Sequence, residues 1–142
     1  MENKRSLILI LTMLCSIILT GALQANEVAE KAAIMSAGAW LSAVDEGSYA
    51  ESWNLAAGFF KNAVTKEQWL NSMKTFRVPL GKMITRKLKS KQYTKTLPGA
   101  PDGEYVVIQY ETTFENKKSA VETVTPMLDK DGKWRVSGYY IK

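Results

Sequence analysis

Residues 103–142, GEYVVIQYETTFENKKSAVETVTPMLDKDGKWRVSGYYIK, decide the fold. β-Branched and aromatic residues alternate with polar ones along this stretch, the period-two signature of strands with one buried face. Two interruptions, Asn116-Lys117-Lys118 and Asp129-Lys130-Asp131-Gly132, are short enough to be hairpins, so consecutive strands are expected to pair antiparallel. The same alternation begins at Gly81. Four strands are therefore predicted, over about 83–96, 103–115, 119–128 and 133–141, the first two joined by the turn-rich segment 97–103. The second strand puts Val106, Ile108, Tyr110, Thr112 and Phe114 on one face, and the fourth puts Trp134, Val136 and Tyr140 on one face. Both faces are expected to look at a layer of helices.

Upstream, the period lengthens. Val28, Ala32, Met35 and Ala39, followed by Leu41 and Val44, recur at helical steps and predict an amphipathic helix over 27–45, ended by Asp45-Glu46-Gly47. Ser48 and Glu51 have capping-box spacing, and Tyr49, Trp53, Ala56, Ala57, Phe60 and Val64 form the stripe of a second helix. Thr65 and Gln68 repeat the box, with Val64 and Trp69 at the two positions of a hydrophobic staple. This third helix carries Trp69, Met73 and Phe76 inward and is expected to end at Val78, because a residue before proline is pushed out of helical geometry. Three N-terminal helices packed on a curved antiparallel four-stranded sheet make an α+β domain.

The N-terminus reads differently. Lys4 and Arg5 precede an apolar run over residues 7–19, broken only by Thr12, Cys15 and Ser16, and small residues Gly21, Ala22 and Ala25 follow. This is the layout of a secretory signal peptide, with cleavage expected after Ala25. Residues 1–25 are thus read as a signal peptide and 26–142 as a single exported domain, periplasmic or secreted. Retention in the inner membrane by an uncleaved N-terminal segment is the alternative, although the run falls short of the roughly 18–20 apolar residues of a spanning helix. Cys15 follows Met13 and Leu14, which does not suit lipid attachment, so the exported domain is expected to carry no thiol.

With 142 residues, 46% of them hydrophobic and 23% charged, the composition is that of an ordinary globular chain. The net charge of +5 makes attraction to anionic surfaces reasonable, but no basic module for nucleic acid accompanies it.

The ordered set Trp40-Leu41, Val44-Asp45-Glu46-Gly47-Ser48-Tyr49, Ser52-Trp53, Phe59-Phe60-Lys61, Gln68-Trp69 and Arg77-Val78-Pro79-Leu80-Gly81 resembles domain-of-unknown-function family 4019, whose members look like small exported bacterial proteins. The likeness continues through Leu97-Pro98-Gly99-Ala100-Pro101-Asp102-Gly103, Glu122-Thr123-Val124-Thr125-Pro126-Met127 and Asp131-Gly132-Lys133-Trp134. The resemblance implies a nuclear-transport-factor-2-like or cystatin-like cone. That superfamily holds isomerases, dehydratases, ligand carriers and dimerisation modules, so the resemblance implies a fold and no activity.

The sequence contains no His, and its one Cys is Cys15. Ser-His-Asp and Cys-His catalysis, zinc-type metal sites and the His-Asp dehydratase arrangement are therefore excluded for the exported domain, and no metal or cofactor is expected. Carboxylate chemistry survives. If the third strand turns Ala120, Glu122, Val124 and Leu128 inward, Glu122 lies in the concavity beside Tyr110, a candidate proton-transfer pair. Val121 and Met127 leave the opposite register open. Arg86, between Ile84 and Leu88, places a guanidinium on an apolar face and calls for a carboxylate, so Arg86 and Glu122 are expected to form either a buried ion pair or an anion-reading pocket.

Lys87, Lys89, Lys91 and Lys95 are expected to share the face opposite Arg86, as a basic stripe that protects an edge strand or meets an anionic envelope surface. Asp129-Lys130-Asp131-Gly132 is a hairpin turn, since no Glu closes a calcium loop. Tyr49, Trp53, Trp69, Tyr93, Tyr110, Trp134 and Tyr140 are candidates for core or cavity wall. The leading expectation is a non-enzymatic binding module of the cell envelope, taking a small ligand in the cone or a protein partner on the outer sheet face. Homodimerisation through Val107 and Val121 is compatible with it, and a metal-independent enzyme using Glu122 and a Tyr is the alternative.

Overall fold

The computed structural model describes residues 2–142, with side chains described from Gly21 onward. The apolar run 7–19 and Cys15, on which the expected signal peptide rests, lie outside the residues whose side chains are described. Among the described residues no helix is long and apolar enough to cross a membrane. The element order is α1 (Glu2–Asp45), α2 (Tyr49–Leu55), α3 (Gly58–Ala63), α4 (Lys66–Ser72), a π turn (Met73–Arg77), a 3-10 turn (Val78–Leu80), and strands β1 (Met83–Thr94), β2 (Tyr105–Phe114), β3 (Lys117–Leu128) and β4 (Trp134–Ile141). The strands form one antiparallel sheet in chain order, β1-β2-β3-β4, with the helices packed against it. The chain is therefore the expected α+β domain, with four helices in place of three.

The extra helix comes from a break at Ala56-Ala57. Both residues are extended and fully buried, and the Ala57 N–H donates to the Val136 carbonyl at 2.8 Å, so the chain leaves the helix to dock on β4. Only a side chain as small as alanine allows that approach. The Ser48–Glu51 capping box does not form, and Glu51 accepts from Asn54 instead. The Thr65–Gln68 box does form, with both reciprocal bonds, at 2.9 and 3.2 Å.

The expected stripe of the first helix is rotated. Ala33, Ala37, Trp40, Leu41 and Val44 are buried, whereas Val28 and Met35 face solvent. The alanines let α1 lie close on the sheet, where Ser36 Oγ donates to the Trp134 carbonyl at 2.8 Å. Nor does the third helix run unbroken to Val78. After Ser72 it widens into the π turn, closed by Val78 N–H on Met73 O, and Pro79 enters a 3-10 turn whose first positions need no N–H donor. The widening exposes Phe76, expected inside, and buries Arg77 in its place.

The core is knit by indoles. Trp40 Nε1 donates to Ser52 O at 2.8 Å and Trp69 Nε1 to Ser52 Oγ at 2.9 Å, while Ser52 Oγ donates to Tyr49 O at 2.7 Å. Trp40 packs edge-on to Tyr139 with centroids 5.1 Å apart, and Phe60 edge-on to Trp69 at 5.2 Å, the geometry that ring quadrupoles favour.

Of four register shifts in the sheet, two change which face the expected residues occupy. In β4 the register jumps from Pro126↔Val136 to Thr125↔Gly138, leaving Ser137 as an extra residue. Tyr139, not Tyr140, consequently faces the helices, and Tyr140 is 56% exposed. In β1 the jump from Leu88↔Tyr110 to Ser90↔Gln109 leaves Lys89 unpaired and turns Lys91 and Tyr93 to the inner face. Gly81 joins the helical layer to β1 at φ +74°, and a Cβ there would sit 2.9 Å from Glu115 Cβ, so both conformation and space call for glycine.

Candidate functional site

β3 turns Ala120, Glu122 and Val124 inward, as the first of the two registers requires, and Glu122 is fully buried opposite Tyr110. Arg86, on β1 and paired with Thr112, reaches across β2 to it. Arg86 Nε donates to Glu122 Oε1 at 2.7 Å and Nη2 to Oε2 at 3.2 Å. The same guanidinium grips a second carboxylate, at the C-terminus of α1: Nη1 donates to Asp45 Oδ2 at 2.7 Å and Nη2 to Oδ1 at 3.0 Å. Thr112 Oγ1 donates to Glu122 Oε1 at 2.5 Å, and the Tyr139 hydroxyl donates to Oε2 in a short bond.

Arg77 completes the cluster. Its Nη2 donates to Asp45 Oδ1 at 3.2 Å and its Nη1 to Gly81 O at 2.7 Å, with the guanidinium stacked 4.6 Å from the Phe114 ring centre. Among the described residues, Arg77 Nε is buried without a hydrogen-bond partner. Two carboxylates face two guanidiniums, so the cluster is neutral in sum, and both oxygens of Glu122 accept two bonds each. Bidentate, charge-assisted pairing of this kind is what makes a buried charge tolerable. Burial pulls the Arg86 guanidinium down, but its hydrogen bonds and charge contacts with Asp45 and Glu122 more than reverse this and hold it above its ordinary value. Burial, followed by the Glu122 charge and hydrogen bond, pushes the Tyr139 hydroxyl well above the ordinary phenol range. Tyr110 is raised by burial first, and no hydrogen bond joins it to Glu122 among the described residues.

Of the residues read from the sequence, Arg86, Tyr110 and Glu122 are therefore together, and Asp45, Arg77, Thr112 and Tyr139 are added to them. Arg77 had a signal, since Trp69, Met73 and Arg77 recur at four-residue steps. Asp45 was legible only as a helix stop, and Tyr139 was hidden by the Ser137 bulge.

The lysines do not form one stripe. Lys87 lies on the outer face opposite Glu111, Lys89 sits at the bulge, Lys95 follows β1, and Lys91 faces inward and pairs with Glu30 of α1 at 3.0 Å. Val107 and Val121 are half-buried on the outer face. In the β3–β4 turn, Arg135 bridges Asp129 at 3.1 Å and Asp131 at 2.7 Å, and holds the Asp131 carboxyl below the usual carboxylate range. Among the described residues no group of three or more His, Cys, Asp or Glu is placed to hold a metal.

A pocket of about 570 Å³ opens beside this sealed cluster, between the α4–π segment and the last residues of β4. Phe60, Trp69, Met73, Phe76 and Leu80 form its helical wall, and residues 139–142 the opposite one. Arg77 and Tyr139 belong to both the pocket and the ionic cluster. Of the aromatic residues named as candidate cavity walls, Trp69 and Tyr140 line it. Volume and lining fall within the range of small-molecule pockets, about 300–1,000 Å³ and mostly apolar.

No curated protein matches the sequence. A family model described as protein of unknown function (DUF4019) matches residues 36–139, from the last quarter of α1 into β4, and the chain belongs to that family.

Proposed function

We propose that the protein is an exported, non-enzymatic binding module of the cell envelope whose binding site is the apolar pocket between α4 and β4. The pocket carries this reading: about 570 Å³ of open space, walled by Phe60, Trp69 and Met73 and rimmed by Phe76 and Tyr140, both more than half exposed. Apolar side chains left in water around a concavity mark an interaction site. The state of Glu122 supports binding over proton transfer, because a base must offer a lone pair to a substrate and each oxygen of this carboxylate already accepts two donors. Export is supported by the charged, apolar and small-residue order of residues 4–25.

Two measurements test this reading. The denatured mass of protein recovered from its host is expected to correspond to a chain beginning at Asn26, and a mass retaining residues 1–25 would overturn cleavage. An environment-sensitive naphthalene-sulfonate dye is expected to bind the native protein and brighten. Ser72→Trp, which puts an indole into the pocket lining, is expected to weaken that binding at least about tenfold, as loss of 1.4 kcal/mol or more does. Equal dye binding by both proteins would overturn the assignment of the pocket.

A further inference from the structure

β4 is an edge strand, and the helices cover only part of its free edge. At Val136 the edge is occupied, since the carbonyl there accepts the Ala57 N–H. Beyond the bulge, among the described residues, no backbone bond from outside the sheet reaches Tyr139 or Ile141. Lys142 and Val121 exchange both backbone bonds, at 2.9 and 3.0 Å, which fixes the alternation of the antiparallel ladder. Tyr139 and Ile141, opposite Val124 and Glu122, therefore turn their N–H and C=O groups away from β3. Tyr139 of the inner face and Tyr140 of the outer face both line the pocket, with Ile141 and Lys142, so the pocket reaches this edge.

This backbone discriminates between occupants. An alkyl chain lying in the pocket would cover the Tyr139 and Ile141 amides without bonding them, and a buried amide without a partner is costly. An extended peptide would pair them and lay alternate side chains against Trp69 and Met73, the mode in which a strand adds to an exposed sheet edge. Charge sets the second requirement. Arg77, Lys117 and Lys142 line the pocket, and no Asp or Glu is among its lining residues. They lie toward one end: Lys117 pairs with Phe114, on whose ring Arg77 stacks, and Lys142 pairs four residues further along β3. Phe60 and Trp69, packed together, form the uncharged part.

Resting on the binding reading above, we infer that the occupant is an extended apolar segment of a partner protein with an acidic end, added as a fifth strand beside Tyr139–Lys142 with its carboxylate toward Lys117 and Lys142. The probe is a random octapeptide display library selected on the full-length protein. Selection is expected to enrich peptides that alternate apolar and polar residues and carry Asp or Glu at one end. For a synthetic copy of an enriched peptide, binding is expected to shift the Tyr139 and Ile141 amide resonances and slow their hydrogen exchange.

Ile141→Pro removes an N–H that makes no bond within the sheet. It is expected to leave the fold intact and to weaken the peptide about tenfold, the loss of one buried hydrogen bond. Methylating alternate peptide nitrogens is expected to do the same without altering the protein, so the test survives should the proline variant fail to fold. Undiminished binding of the methylated peptide would overturn strand addition. Equal binding when the acidic end is replaced by lysine would overturn the charge assignment. Dodecanoate bound in the pocket with no peptide enriched would overturn the peptide while preserving the pocket reading, and failure of dye, dodecanoate and peptide alike would overturn both.

Discussion

Two regions meet at Arg77 and Tyr139 and obey opposite rules. On one side, Asp45, Arg86 and Glu122 satisfy their charges from one another, with Thr112 and Tyr139 adding bonds to Glu122, so that carboxylate has no oxygen left to offer a ligand. On the other, Phe76 and Tyr140 stand in water beside an apolar pocket whose backbone edge is free. The polar cluster, which has the chemical vocabulary of an active site, is built as a structural closure. The pocket, which shares Arg77 and Tyr139 with it, is the surface that leaves apolar groups in water. Chemical reactivity of residue types is thus a poorer guide here than the tally of which groups remain unsatisfied.

The sharpest way to break this contrast is Arg86→Met. It strands Glu122 without its bidentate partner and is expected to cost about 3–5 kcal/mol in urea unfolding, as removal of one member of a buried pair does. Arg86→Met combined with Glu122→Leu is expected to recover part of that loss, since the fully buried carboxylate is gone and Asp45, partly exposed, keeps Arg77 as a partner. A double variant as unstable as the single one would show that packing, not charge, holds the cluster. Next comes Ser52→Ala, which removes the acceptor of the Trp69 indole and is expected to cost about 1–3 kcal/mol, the penalty of a buried donor left unpaired.

Alkaline pH probes the same cluster. Tyr139 is raised above the unfolded phenol value, and Tyr93, raised by burial and its bond to Glu104, is pushed up to about 12. A raised folded value favours the neutral hydroxyl, so the stability these groups give is complete below about pH 10, the unfolded value. It falls as pH rises from there through the folded values. Urea midpoints are expected to decline across pH 10–12, less steeply in Tyr139→Phe, and a flat profile would break the assignment. The smallest effect belongs to the pocket. Phe76→Ser is expected to change stability by no more than about 0.5 kcal/mol, as exposed substitutions do, while dye binding falls. Matching losses in both would erase the distinction between the regions.

Much of this was readable from residue order. The period-two run from Val106 to Phe114 fixed the buried face of β2, and Arg86 meets the carboxylate of Glu122, although the apolar neighbours that pointed to such a partner, Ile84 and Leu88, are both exposed. What escaped was phase. Each bulge adds one unpaired residue, and a period-two reading carried across it inverts every later assignment, which is why Lys91, Tyr139 and Tyr140 emerged on the other faces. The π turn did the same to Phe76 and Arg77. Asp45 joins the cluster through contacts 32 and 41 residues away in sequence, and no local pattern encodes such a meeting.

Pro126 stands in a central strand, where a missing N–H is tolerated only beside an irregularity, and it lies opposite Val136 at the step where Ser137 is left over. The proline and the surplus serine work as a frame-shift and its reader. Together they determine which of two adjacent tyrosines is internal, and an alphabet of substitutions at 137 leaves that decision untouched. Adding a position does not: lengthening β4 by one residue beside Ser137 would deliver Tyr140 to Glu122 and throw Tyr139 outward, or force the strand to slip, whereas deleting Ser137 would only close the bulge. For this chain, length at one point of one strand carries information that no single side chain does, and lineages that vary freely in residue at 137 are expected to be intolerant of an insertion beside it.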